Sequence, residues 1–330
     1  GSYESAYRDY LAHQLAGLFR EARDSRQPAR LRLGEDICLA GINRRERTAD
    51  GHMILGKNPG GPVDRSVNVC RIEARDGRPL AAVVNFAMHP VTQSGFTRLV
   101  SADYVGVVRR LVREKTGADC LFWQGAAGNI NPLVDETDYA NTVAHGTQVA
   151  AAALAAWESS GPAKGEPRRC VRRQTGLPPF RFFSYDHAEE QRRVTEEELE
   201  GARSRPAFTP GLLAWYQNAL QRITRLRDSW KDPSLIPPPV TVDLQACRLG
   251  EWAWICLPPE EFCEIGLQIK EQSPFPRTFT AGYTNRWVQY IPVPQAYHEG
   301  GYEVTTGSLV SSEAAAVLVK TSVEMLREIQ

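Results

Sequence analysis

The sequence has no excess of charge of either sign: Lys+Arg number 39 and Asp+Glu number 39 among 330 residues. A balanced chain has no electrostatic reason to seek nucleic acid or anionic lipid, so no nucleic-acid partner is expected. No apolar run approaches the roughly 20 residues that span a bilayer, so no integral membrane segment is expected. No CxxC pair occurs, and the cysteines (Cys38, Cys70, Cys120, Cys170, Cys247, Cys256 and Cys263) are odd in number. That excludes a disulfide framework or a cysteine-based zinc cluster as the working expectation. Cys70, Cys120, Cys247 and Cys256 sit in apolar, strand-like stretches, where free buried thiols are common. The pattern favours a reducing compartment, cytoplasmic rather than secreted. No GxSxG occurs and no cysteine lies in a polar, site-like block, which speaks against a serine or cysteine hydrolase. What is present is ordinary for a folded domain: 42% apolar and 24% charged residues.

Gly1-Ser2 reads as a remnant of tag cleavage and is left out of fold reasoning. From Tyr3 to about Ala22 the chain is amphipathic, with Tyr7, Leu11, Leu15, Leu18 and Phe19 at helical spacing. Strands are predicted over 29–39 and 66–74, with a polar Gly/Pro-rich loop over 43–65 between them. Asp76-Gly77 reads as a hairpin turn into a third strand that ends at His89. A helix over 103–116, a short buried strand in ADCLFWQG and an alanine-rich helix over 137–159 follow. Two charged helical pieces, about 188–204 and 210–229, lie between Pro-rich joints and read as a lid-like insertion over about 175–236. A hairpin from residue 240, a helix over 260–272, the strand FTAGYTN, an aromatic loop over 283–304 and a helix over 308–328 complete the chain. The expected fold class is α/β, in mixed α+β layers, as one domain over 3–330.

Five blocks could carry chemistry. In VVNFAMHP, Pro90 stops a strand and leaves His89 at its end, where it can face a cleft. Asp103 stands at a helix start, where it reads as a cap or as an acceptor near His89. Residues 122–132 (FWQGAAGNINP) hold Gly125 and Gly128, which allow close approach of backbone to another group. In ICLPPEEFCEIG, Glu260 and Glu261 follow two prolines, either as first-turn acids of a helix or as a metal ligand or general base. Residues 282–303 hold four tyrosines, one tryptophan and three glycines. They read as a packed aromatic loop, or as a site wall using phenol oxygens as ligands or donors.

Together with GINRR at 41–45, these blocks resemble, in order, the N-terminal catalytic domain of the neutral/alkaline non-lysosomal ceramidase family, over about residues 30–310. The likeness is greater to the shorter bacterial ceramidase-like proteins. The resemblance implies a zinc amidase in which two histidines, a glutamate and a tyrosine hold zinc, and zinc activates water against an N-acyl amide. Carried over, His89, Glu260 and Tyr290 are the metal ligands, with Glu261 the lesser choice beside Glu260. Arg44 and Tyr302 would stabilise the oxyanion or orient the acyl group, and Asp103 would buttress a ligand histidine.

The departures are specific. The family's upstream His-Thr-His-Ser-Gly-Pro block is absent, and none of His13, His52, His145, His187 and His298 sits in anything like it. The resemblance therefore implies an upstream segment ahead of this sequence. The serine of the family's Gln-Ser-Asn turn is Gly125 here, which argues against a ceramidase proper. The expected function is zinc-dependent hydrolysis of an amide or ester bond in an N-acyl-type small molecule. The alternative is a scaffold of the same kind that binds a ligand or partner without hydrolysis.

Overall fold

The computed structural model describes residues 2–93, 100–133, 138–165, 169–204 and 210–330. Residue 137 of the expected alanine-rich helix and residues 205–209 of the expected insertion lie outside them.

The first half begins with α1 (Ser2–Asp24), then β1 (Ala29–Ile37), β2 (Gly41–Arg47), β3 (Met53–Asn58), β4 (Ser66–Ala74) and β5 (Pro79–Phe86). It continues with α2 (Asp103–Thr116), β6 (Asp119–Gln124), β7 (Ile130–Pro132), α3 (Tyr139–Glu158) and the short β8 (Gly161–Pro162). A five-stranded sheet runs in the order β6-β5-β4-β1-β8. β1, β4 and β5 pair antiparallel, whereas β6 lies parallel to β5. Parallel neighbours need a crossover, and α2 supplies it. Tyr104, Val107, Val108 and Val112 fall on one face of α2 and are buried, as helical periodicity requires. With α3 they cover one face of the sheet, against Val67, Val69, Val84 and Phe86.

The second half holds β9 (Arg169–Leu177), α4 (Tyr185–Arg203), α5 (Pro210–Asp228), β10 (Val240–Leu249), β11 (Trp252–Cys256), β12 (Glu260–Glu261) and α6 (Cys263–Gln272). β13 (Arg277–Ala281), β14 (Tyr290–Ile291), α7 (Pro294–Glu299), α8 (Tyr302–Thr305) and α9 (Ala314–Glu328) end it. A second sheet runs β13-β11-β10-β9. Leu244, Ile255, Ile265, Ile269, Leu318 and Leu326 join one of its faces to α6 and α9. Its Trp252 and Phe279 meet Leu33, Cys70 and Val83 of the first sheet. The order through the molecule is therefore helices, sheet, sheet, helices, which is the mixed α+β layering expected.

Two differences from the sequence reading bear on the site. Residues 43–65 are not simply a loop: β2 and β3 form a hairpin, and β7 adds to it. Its polar appearance comes from Arg44 and Arg45, which are buried yet charged. The helix expected from residue 260 starts at Cys263, because Glu260 and Glu261 are taken into a parallel bridge with Tyr290 and Ile291. The helical pair α4–α5 sits between β9 and β10, which pair along their full lengths, and Arg227 of α5 bonds Glu189 of α4. All seven cysteines are free. Among the described residues no helix is long and apolar enough to cross a membrane.

Candidate functional site

The site forms where the two sheets end together. β5 stops at Phe86, and three residues later the His89 amide donates to the Ile130 carbonyl at 2.9 Å. The Gln124 side-chain amide and the Tyr104 hydroxyl both donate to the Met88 carbonyl, at 2.8 and 2.7 Å. This backbone anchoring fixes where the imidazole emerges. Gly125 and Gly128 make the close approach possible. The Gly125 amide donates to the Phe86 carbonyl and the Gly128 amide to the Glu261 carbonyl, both at 2.8 Å. A Cβ on Gly128 would lie 2.5 Å from the Glu260 carbonyl oxygen, which backbone cannot yield.

Glu260 and Tyr290 are direct partners in the parallel bridge of β12 and β14, so both side chains project from neighbouring backbone. His89 Nε2 lies 3.0 Å from Glu260 Oε2, and Tyr290 Oη lies 3.5 Å from the same Nε2. Three side chains separated by 171 and 201 positions in the chain thus converge. His89 Nδ1 is 3.1 Å from the Ile130 carbonyl, which can only accept. Nδ1 therefore carries a hydrogen, and Nε2 faces a carboxylate. Burial alone would raise the Glu260 carboxyl, but bonds from His89 and Trp287 outweigh it and push it down to about 2. An imidazole nitrogen and an ionised oxygen at that distance need a positive charge between them, either a proton on Nε2 or a metal ion.

The donor set fits a metal. Zinc takes mixed His, carboxylate and other oxygen donors at about 2.0–2.2 Å in a tetrahedron, whose edge is then about 3.3 Å. The two separations quoted above bracket that value. Among the described residues no three His, Cys, Asp or Glu side chains cluster as a metal site, so the third donor in this arrangement is the Tyr290 phenol.

Arg44 lies beside this group, with its guanidinium 5.3 Å from the centre of the Tyr290 ring. Its Nε bonds Glu303 Oε1 at 2.8 Å and its Nη1 bonds Asn131 Oδ1 at 3.2 Å. Nη2 is buried and has no hydrogen-bonding partner among the described residues. Burial would lower the Arg44 pKa, but Glu303 and the Tyr290 phenol more than reverse this. Tyr302 stands at the rim, its ring edge-on to Tyr290 at 5.6 Å and tilted against Trp215 of α5 at 6.1 Å. The helical pair thus reaches the site edge. A cavity of about 400 Å³ lies behind it, lined by Phe180, Leu226, Val240, Trp287 and Val288 with Arg222 and Arg286.

Asp103 is placed differently from the expectation. Its carboxylate accepts from the Thr92 hydroxyl at 2.8 Å and from the Thr92 and Gln93 amides at 3.3 Å. It ties down the segment after Pro90 and does not touch the His89 ring, whose partner is the Ile130 carbonyl. It is not the helix cap either, since that position is Ala102 and makes no side-chain cap bond. Glu261, on the opposite pleat from Glu260, is fully buried with both oxygens unpartnered among the described residues, and burial pushes its carboxyl up to about 8.

Three side chains at the site were not singled out in the sequence. Glu303 bonds both Arg44 and Arg45, the latter through Nη1 at 2.9 Å. Tyr283 Oη donates to Glu260 Oε2 at 2.9 Å, and Trp287 Nε1 donates to Glu260 Oε1 at 2.7 Å. Both aromatics belong to the Tyr/Trp-rich block, whose density was the available signal. Nothing in the sequence marks Glu303 as the counter-charge of GINRR.

No family model matches the sequence. No curated protein matches it either. Among solved structures the chain is similar to a neutral ceramidase from Pseudomonas aeruginosa, at 19% identity and a TM-score of 0.62. That match covers 92% of this chain and 52% of the other. A ceramidase complexed with C2 is similar at 18% identity and a TM-score of 0.65, covering 92% of this chain and 54% of the other. The chain spans about half the length of these two structures, and over that span it has the fold of the neutral ceramidases.

Proposed function

We propose that the chain is a zinc-dependent hydrolase that cleaves the amide, or an ester, bond of an N-acyl-type small molecule other than ceramide. The observation that carries this reading is the convergence of His89 Nε2, Glu260 Oε2 and Tyr290 Oη. These three side chains would hold the metal. Zinc bound there supplies Lewis acidity and lowers the pKa of its water from 15.7 toward about 7.

The protein's own groups supply the rest. Glu260, held ionised, offers negative charge to the cation. The Ile130 carbonyl fixes the His89 tautomer that leaves Nε2 available. Arg44, pinned by Glu303, presents its free Nη2 beside Tyr290, where it can donate to an acyl oxygen as charge develops. Tyr302, part-exposed at the rim, orients the substrate through its hydroxyl. The largely apolar cavity beside Trp287 suits an acyl chain.

Gly125 supports a substrate other than ceramide. A Cβ at this position would lie 3.0 Å from the Ala87 Cβ and 3.2 Å from Ala87 backbone atoms. The turn is packed around the missing side chain, so the serine of ceramidases has no ready place.

The test is release of free fatty acid from a panel of N-acyl amides and a ceramide, with and without a chelator. Hydrolysis of a non-ceramide N-acyl amide that the chelator abolishes and added zinc restores is the expected result. A zinc-loaded chain that binds these amides without cleaving any would favour the ligand-binding scaffold instead.

A further inference from the structure

The Glu260 carboxylate receives more donors than its place in the strand requires. Trp287 Nε1 takes Oε1 at 2.7 Å, while Tyr283 Oη and His89 Nε2 both approach Oε2, at 2.9 and 3.0 Å. The two aromatics come from one segment, residues 282–289, that links β13 to β14. That segment is stapled beneath Glu260 by backbone bonds: the Thr284 amide donates to the Leu257 carbonyl at 3.1 Å and the Glu260 amide to the Gln289 carbonyl at 2.9 Å. Tyr283, Asn285 and Gln289 have φ of 57°, 64° and 62°. Left-handed backbone is unfavourable for tyrosine and glutamine, and it concentrates where a side chain must be aimed. Trp287 is 59% exposed, so packing alone does not explain its fixed indole. Its hydrogen bond does.

We infer that Tyr283 and Trp287 form a clamp that sets the orientation of the Glu260 carboxylate, with Trp287 withholding Oε1 so that Glu260 offers a metal one oxygen only. They are positioning residues, and the inference rests on the metal-site reading above. An ionised carboxylate can bind a cation through one oxygen or two. Occupying Oε1 with a short indole bond removes the two-oxygen mode. It also keeps Oε2 aimed at the point shared with His89 Nε2 and Tyr290 Oη.

Trp287→Phe keeps the ring and deletes the donor; Tyr283→Phe does the same for the phenol and serves as the second variant. Zn²⁺ and Co²⁺ affinities are measured by competition with a chromogenic chelator, and visible spectra of the Co²⁺ forms are recorded. Circular dichroism and the melting temperature control for folding. The expected result for Trp287→Phe is roughly 10–100-fold weaker Zn²⁺ binding. Its Co²⁺ d–d band should also weaken, as Oε1 joins the metal and the coordination number rises. A purely structural role would lower the melting temperature and leave that band unchanged. An unchanged cobalt spectrum in both variants, with metal bound, overturns the clamp and leaves the metal site standing. A parent chain that takes up neither ion overturns the metal-site reading, and the clamp with it.

Discussion

His89→Ala is expected to lower zinc affinity by more than about 100-fold, because losing a group that merely orients a ligand already costs about 10–100-fold. The substitution removes the imidazole that faces Glu260 Oε2 at 3.0 Å. The fold should persist. Glu260 keeps its bonds from Tyr283 and Trp287, and the Ile130 carbonyl keeps its bond from the backbone amide of residue 89. Glu260→Gln should act in the same direction, since it keeps the shape and removes the charge. Titration calorimetry with zinc reads the effect directly. An affinity within threefold of the parent chain would remove His89 from the metal site.

Glu303→Ala is expected to have the largest effect on stability, about 3–5 kcal/mol, the cost of removing one partner from a buried ion pair. The Glu303 side chain is 1% exposed, and those of Arg44 and Arg45 are 5% and 7% exposed. Without Glu303, Arg44 keeps only Asn131 through Nη1, while Arg45 retains Glu299 and the Gly300 carbonyl. Two guanidinium groups would then share one part-buried carboxylate. The contrast is with α4, where Arg192 and Arg193 pair with acids three and four residues away on an exposed face. Such pairs contribute little, because water solvates each partner about as well. Urea unfolding of Glu303→Ala beside Arg193→Ala separates the two cases. Equal midpoints would mean that the buried network does not hold the Arg44 strand in place.

The sequence is most informative where chemistry is local. VVNFAMHP places a histidine just past a strand, and the Pro-Pro-Glu-Glu run places carboxylates just past another. Each block can be read because strand, stop and polar residue adjoin. The layering is legible for a related reason: β4, β5, β10 and α9 carry apolar residues at the strand or helix period. What fails to show is pairing at long range. Glu303 lies 259 positions from Arg44, and an acid after Tyr302 looks like any surface glutamate. The β2–β3 hairpin is hidden for the same reason, since its buried arginines look like a solvated loop until their counter-charge is known. Asp103 misleads in the opposite sense. Its position suggests a helix cap, but its carboxylate turns back to the Thr92 and Gln93 amides, a contact that depends on a path no local pattern encodes. Glu260 was expected at a helix start, and the bridge to Tyr290, thirty residues on, holds it in a strand instead.

The most direct test is a crystal of the chain grown with zinc, with anomalous data collected on both sides of the zinc absorption edge. The account predicts one strong difference peak within about 2.0–2.2 Å of His89 Nε2, Glu260 Oε2 and Tyr290 Oη. A peak at any other place, or those three side chains in mutual contact with zinc present and no peak between them, would contradict it.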